Sequence, residues 1–92
     1  MDIGFVWDEE KYLEVNGKHN ILFYEVVSAF DDPHGYFNPD PQGYNNRWML
    51  VARTFNGRVL SIICSDEDAP LHRLITAYDA ERRYIDEYNR RI

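Results

Sequence analysis

Arginines and a histidine carry most of the chemistry this sequence offers. Arg47 and Arg53 bracket one apolar run, and Arg73 opens another. If these runs are β-strands, period two puts Arg47, Met49, Val51 and Arg53 on one face and Trp48, Leu50, Ala52 and Thr54 on the other. Arg73 then shares a side with Ile75 and Ala77. Arginines at strand ends beside an apolar sheet can line an anion-binding groove, because the guanidinium fork matches phosphate and carboxylate oxygens. Strand-end arginines also commonly snorkel into solvent or pair with acids, and the pattern leaves both readings open. His19 follows Lys18 at the end of a helical segment, where an imidazole beside a cation can shuttle protons or simply bond a loop carbonyl. Tyr78, Glu81 and Arg82 sit near the junction of the last apolar run with the last helical segment, close enough to face the groove of Arg73.

Other chemistries find little support. The three histidines form neither an i, i+4 helical pair nor a Cys/His cluster, so no metal site is expected. Asp66-Glu67-Asp68 reads as a solvated turn. There is no glycine-rich phosphate loop and no nucleophile-elbow serine, which leaves no basis for a nucleotide cofactor or covalent catalysis. Cys64, the only cysteine, lies in Val59-Leu60-Ser61-Ile62-Ile63-Cys64 and reads as a core thiol; no internal disulfide can form. No stretch approaches the roughly 18 apolar residues of a membrane span. Met1-Asp2-Ile3-Gly4 lacks the basic and apolar regions of a secretion signal. A cytoplasmic location with no membrane partner is the expectation.

Charge narrows the binding classes. The net charge is −6, but residues 1–46 hold two lysines against nine acids, and residues 47–92 hold eight arginines against seven acids. The acidic total disfavours non-specific nucleic-acid binding, which rests on summed positive charge. Any phosphate contact must come from a local arginine cluster.

The elements that position these groups are legible in outline. Ninety-two residues make one domain, 1–92. Ile3–Trp7 reads as a strand. Asp8 caps a helix with Glu9 and Glu10 in its first turn, Tyr12, Leu13 and Val15 inward, and a stop near Gly17. Phe23, Val26, Val27 and Phe30 recur at i, i+3, i+4, i+7, a second amphipathic helix. Residues 33–46 hold three of the four prolines and form a long connection with a short strand near Tyr36. Arg47–Phe55 and Arg58–Ser65, joined by Asn56-Gly57, predict a hairpin with a type I′ turn. Leu71–Ala77 predicts another strand, and Asp79 is the expected cap of a last helix reaching Arg91, with Ala80, Tyr84, Ile85 and Tyr88 as its apolar stripe. The fold class is α+β: an antiparallel sheet with two N-terminal helices and one C-terminal helix, all on one face.

In their order and spacing these residues resemble the BrnT family, toxins of type II toxin–antitoxin pairs with a RelE-like fold. The matching positions are Trp7, Asp8, Lys11, Asn16, Lys18, His19, Ile21, Phe23 and Glu25. Phe30-Asp31-Asp32-Pro33, Arg47, Gly57-Arg58-Val59-Leu60 and the stretch from Arg73 through Ala80 continue the match. The sequence departs at Tyr78, where the family carries arginine, and at Asn46, where it carries an acid. Asn20 replaces a glycine, and Leu22 replaces a serine cap, which lowers stability of the second helix by roughly 1 kcal/mol.

The resemblance implies a ribonuclease that needs no metal or cofactor, blocks translation, and is neutralised by a BrnA-like antitoxin of ribbon-helix-helix type. Its substrate would be RNA, free or on the ribosome. Arg47 and Arg73 would stabilise charge on the phosphate, and His19, with Tyr78 and Glu81 behind it, would transfer protons. Lys18, Arg53 and Arg82 would bind the RNA strand. The acidic balance and Tyr78 favour a second reading, a toxin-like domain without catalysis that binds a partner protein through Tyr36, Phe37 and Tyr44. A different RNA-processing enzyme on the same fold is a third.

Overall fold

A computed structural model describes residues 4–92. In chain order the elements are β1 (Phe5–Trp7), α1 (Glu9–His19), α2 (Phe23–Phe30), β2 (Tyr36–Pro39), β3 (Arg47–Arg53), β4 (Val59–Ser65), β5 (His72–Asp79) and α3 (Arg82–Arg91). Ile3, expected to open the first strand, lies outside the described residues. The strands form one sheet in the order β1-β5-β4-β3-β2. Three of its pairings are antiparallel, but β1 runs parallel to β5, so the sheet is mixed rather than wholly antiparallel.

The helices also divide between two faces, which corrects the one-sided arrangement expected from the sequence. Val15 of α1 and Val26 and Ala29 of α2 pack on Leu50, Ala52, Leu60, Ile62, Cys64, Leu74 and Ala77. Tyr88 of α3, with Tyr84 and Ile85, packs on Met49, Val51 and Ile63 from the opposite side. The physical reason lies in the strands themselves. Met49–Ala52 and Leu60–Ser65 are buried without interruption. A strand apolar on alternate residues needs cover on one face; a strand apolar throughout needs it on both.

Local chemistry explains most element ends. Asp8 caps α1, accepting from the Glu10 and Lys11 amides at 2.9 and 3.3 Å. The helix runs two residues past Gly17 because the stop is Asn20, which takes a left-handed conformation (φ 53°) and donates to the Asn16 carbonyl at 2.9 Å. Leu13 faces solvent, while Val15 is buried. Leu22 caps α2 without a side-chain acceptor. Glu25 compensates in part: its Oε1 accepts from the Leu22 amide at 3.0 Å, one half of a capping box.

The hairpin forms as expected, but with a different turn. Among the hairpin residues only Gly57 has positive φ (87°), whereas a type I′ turn needs two such residues. The turn closes by Gly57 N–H to the Thr54 carbonyl (3.0 Å), and Thr54 N–H donates to the Arg58 carbonyl (2.7 Å). β5 extends to Asp79, two residues beyond expectation, so Asp79 ends a strand and does not cap α3; Glu81 takes the cap position, without a side-chain bond. β5 also carries a bulge. Ile63 faces Thr76 while Cys64 faces Leu74, leaving Ile75 as the extra residue. Ala77 therefore turns to the α1–α2 face and not to the side of Arg73 and Ile75.

Candidate functional site

Arg47 pairs with Ser65, and Ser65 pairs with Arg73. The two arginines thus stand in one row across three adjacent strands, about 10 Å apart at the backbone. Both line a surface cavity of about 540 Å³, together with Asp8, Lys11, Glu14 and Glu67. The cavity is not uniformly basic. Arg73 is held by Asp68 and by Glu67 Oε1 (3.2 Å), and the Ser65 hydroxyl steadies Glu67 at 3.2 Å. The bond to Asp68, reinforced by the charges of Asp68 and Glu67, raises the Arg73 pKa further, so this side chain is a permanent cation.

Arg47 differs. Among the described residues, Arg47 and Arg53 are the arginines with no carboxylate within 4.0 Å. The Arg47 guanidinium instead lies 4.2 Å from the centroid of the Tyr44 ring. A cation stacked on an aromatic face keeps its N–H groups available at the ring's edge. Arg47 also lines a second, smaller cavity of about 140 Å³ with Gln42, Thr76 and Tyr78.

Tyr78 belongs to this second cavity. Its hydroxyl lies 3.9 Å from the Met49 sulfur. Burial, aided by the nearby Glu81 charge, raises its pKa above the ordinary tyrosine value. At neutral pH it is a proton donor, not a base. The His19 ring stands 6.3 Å from the Tyr78 ring, centroid to centroid, and is exposed. His19 thus flanks Tyr78 without lining either cavity.

The remaining candidate residues lie apart from this cluster. Lys18 pairs with Glu14 at 3.1 Å on the surface of α1. Glu81 pairs with Arg83 at 3.5 Å, and Arg82 with Asp86 at 3.1 Å, both on exposed turns of α3. Arg53 stands six residues from Arg47, about 20 Å along β3. There it covers the Tyr88 ring (5.1 Å) and borders a separate hollow with Asp32 and His34. His72 opens β5 and is half-buried, its ring packing against Phe5 and Phe30, at 5.9 and 5.1 Å. Cys64 is buried, and desolvation pushes its thiol up to about 11, which suits a core residue. Among the described residues no group of His, Cys, Asp and Glu side chains is gathered to hold a metal, and no helix is long and apolar enough to cross a membrane.

Sequence reasoning passed over Arg58, which organises the His19 end of the fold. Its Nε donates to Asp79 Oδ1 (2.6 Å) and its Nη2 to Asp79 Oδ2 (3.0 Å). The same guanidinium reaches the carbonyls of Asn20 (2.8 Å) and His19 (2.7 Å), the orphan acceptors at the end of α1. Glu25, almost wholly buried, lies 3.7 Å away. Arg58 thereby ties α1, α2, β4 and β5 at one point. The only signal was the Gly-Arg-x-Leu stretch at 57–60; its partners are too far along the chain for local pattern to find.

The fold is similar to a known one. The crystal structure of the Brucella abortus ribonuclease toxin BrnT superposes with a TM-score of 0.62 over 88% of this chain and 100% of that one, at 17% identity. No curated protein matches the chain. The sequence model described as "Ribonuclease toxin, BrnT, of type II toxin-antitoxin system" matches residues 7–83. That span holds the motif from Trp7-Asp8 to the arginine row and Tyr78, and the chain belongs to the BrnT family of ribonuclease toxins of type II toxin–antitoxin systems.

Proposed function

We propose that this protein is a metal-independent endoribonuclease that inhibits translation and is neutralised by a ribbon-helix-helix antitoxin. The observation that carries the reading is the Arg47–Ser65–Arg73 row, two permanent cations at a spacing that a bound phosphodiester can bridge. Attack of a ribose 2′-OH on the adjacent phosphorus builds an extra negative charge on the phosphoryl oxygens. Fixed guanidinium donors stabilise that charge more than the ground state, which is what lowers the barrier. The need for a 2′-OH makes the substrate RNA. Tyr78, kept protonated by its burial, is suited to protonate the 5′-oxygen as the P–O5′ bond breaks, and His19 beside it is suited to accept the proton lost by the 2′-OH and return it to the tyrosinate. Lys18, Arg53 and Arg82 serve, in this scheme, only as outlying contacts to a longer strand, and Glu81, exposed and paired with Arg83, has no part in the proton transfer.

The test is cleavage of free and ribosome-bound RNA by the purified protein in excess chelator. Products ending in 2′,3′-cyclic phosphate are expected. Cleavage that appears only when divalent metal is restored defeats the metal-independent mechanism. No cleavage of either substrate by the folded protein defeats the enzymatic reading.

One observation favours the second reading, a partner-binding module. Glu67 and Asp68 already occupy Arg73, and Phe37 on the edge strand β2 and Tyr44 on the loop after it are more than half exposed. In that case alanine at Phe37 and Tyr44 abolishes partner capture while the thermal midpoint stays unchanged.

A further inference from the structure

The smaller cavity has a construction of its own. Its floor is apolar, from Ile63 and Ile75, and its wall is Arg47, backed by the Tyr44 ring. Beside Arg47, four polar residues border it: Asp40, Gln42, Thr76 and Tyr78. The volume of about 140 Å³ is that of a single planar heterocycle. An apolar floor with a few placed polar groups is the usual composition of a small-molecule site. Unpaired RNA bases are held in this way, stacked on aromatic or guanidinium planes and bonded along their edges.

The loop that forms one side is braced by its own hydrogen bonds. Asp40 is buried, and its two carboxylate oxygens accept from the amides of Gln42 (3.1 Å) and Tyr44 (3.3 Å). Its carbonyl accepts from Gly43 N–H at 2.9 Å, with Gly43 at φ 85°, a conformation glycine adopts without strain. Asp40 thereby fixes Gln42 and, through Tyr44, the plane of Arg47. Each of its oxygens retains an acceptor lone pair, and Asp40 itself borders the cavity.

We propose that this cavity is a nucleobase subsite selective for guanine, seating the base of the nucleotide whose phosphate lies between Arg47 and Arg73. The placement rests on the ribonuclease reading; Arg47 lines both cavities and so joins the phosphate position to the base position. The choice of guanine follows from the acceptor. Guanine presents N1–H and N2–H₂ side by side, two donors that match a carboxylate. Adenine and cytosine present a ring-nitrogen acceptor at the corresponding edge, and uracil a single donor between two acceptors. A site built around an acceptor rejects bases that leave it unpaired.

The test is titration of the protein with 3′-GMP, 3′-AMP, 3′-CMP and 3′-UMP, followed by backbone amide shifts, alongside mapping of cleavage sites in RNA. 3′-GMP is expected to bind about tenfold tighter than the others, with shifts at Gln42, Thr76 and Tyr78. Gln42→Ala should weaken it, and Asp40→Asn, which replaces one acceptor by a donor, should erase the guanine preference. Thr76→Val, on the rigid strand, repeats the test without touching the loop and should weaken 3′-GMP several-fold. Equal binding of the four nucleotides, or shifts confined to other surfaces, overturns the subsite. RNA cleavage without guanine preference overturns it while upholding the nuclease. Guanine-selective binding without cleavage upholds the subsite and defeats the nuclease.

Discussion

Arg47 and Arg73 flank Ser65 in a single cross-strand row, yet only Arg73 is neutralised. Two cations of the same type in the same row therefore hold different electrostatic states. In the proposed scheme Arg47, stacked on Tyr44 and without a carboxylate partner among the described residues, is the one ready to receive phosphate. Arg73 must exchange Glu67 and Asp68 for it.

If the row is the phosphate site, alanine at either position removes a fixed donor to the developing charge. Arg47→Ala and Arg73→Ala should each lower the single-turnover cleavage rate by about 10²-fold or more. Lysine should restore less than half of the lost activation free energy at either position, because a point charge lacks the guanidinium fork. Rates near wild type for both alanine variants would remove the row from the mechanism.

Freeing Arg73 should act in the opposite direction. Glu67→Gln combined with Asp68→Asn removes two charges that compete with RNA, and should tighten RNA binding by no more than roughly fivefold, because exposed pairs are weak. The gain should shrink with added salt, since exposed charges are screened. Fluorescence anisotropy with a short RNA checks both the sign and the salt dependence; unchanged affinity at low salt would mean the acids do not compete.

Arg58 is predicted to matter for stability and not directly for chemistry. Arg58→Ala leaves the buried Glu25 carboxylate without its cation and two carbonyls at the end of α1 without donors, and should destabilise by about 3 kcal/mol. The midpoint of urea denaturation reports it. Acid should expose the same network. The bidentate bond from Arg58 holds Asp79 below its ordinary value of 3.8. Its contribution is therefore complete above about pH 3.8 and lost as pH falls through the lower folded value. Asp79 is largely exposed, so this share is small. An Arg58→Ala midpoint equal to wild type would refute the assignment.

Tyr88 gives an alkaline signature. Burial, then the hydrogen bond to Asp32 Oδ2 (2.6 Å), pushes its hydroxyl up to about 12 from 10.0. A raised pKa stabilises the fold fully below about pH 10, and the contribution disappears as pH rises toward 12. Tyr88→Phe should cost about 2 kcal/mol at neutral pH, typical of a bond to a charged group. The difference from wild type should narrow between pH 10 and 12 in thermal melts. A gap that stays constant across that range would show that the hydroxyl's ionisation is not linked to folding.

Features set by a few neighbouring residues were legible in the sequence. The Asp8 cap, the α2 stripe and the hairpin about Asn56-Gly57 all follow from capping, periodicity and tolerance of positive φ, which act over three to five residues. The motif order likewise pointed to the family that residues 7–83 match. Features that depend on which surfaces meet were decided only by the tertiary structure. The parallel entry of β1, the placement of α3 opposite α1 and α2, and the Ile75 bulge each reflect packing between residues far apart in the chain. The same holds for charge. Nothing local distinguishes Arg47 from Arg58 or Arg73, yet one stacks on tyrosine, one staples four elements and one is claimed by acids. A side chain's type sets what it can bind; which partner it meets is fixed by the register of strands and the helices laid across them.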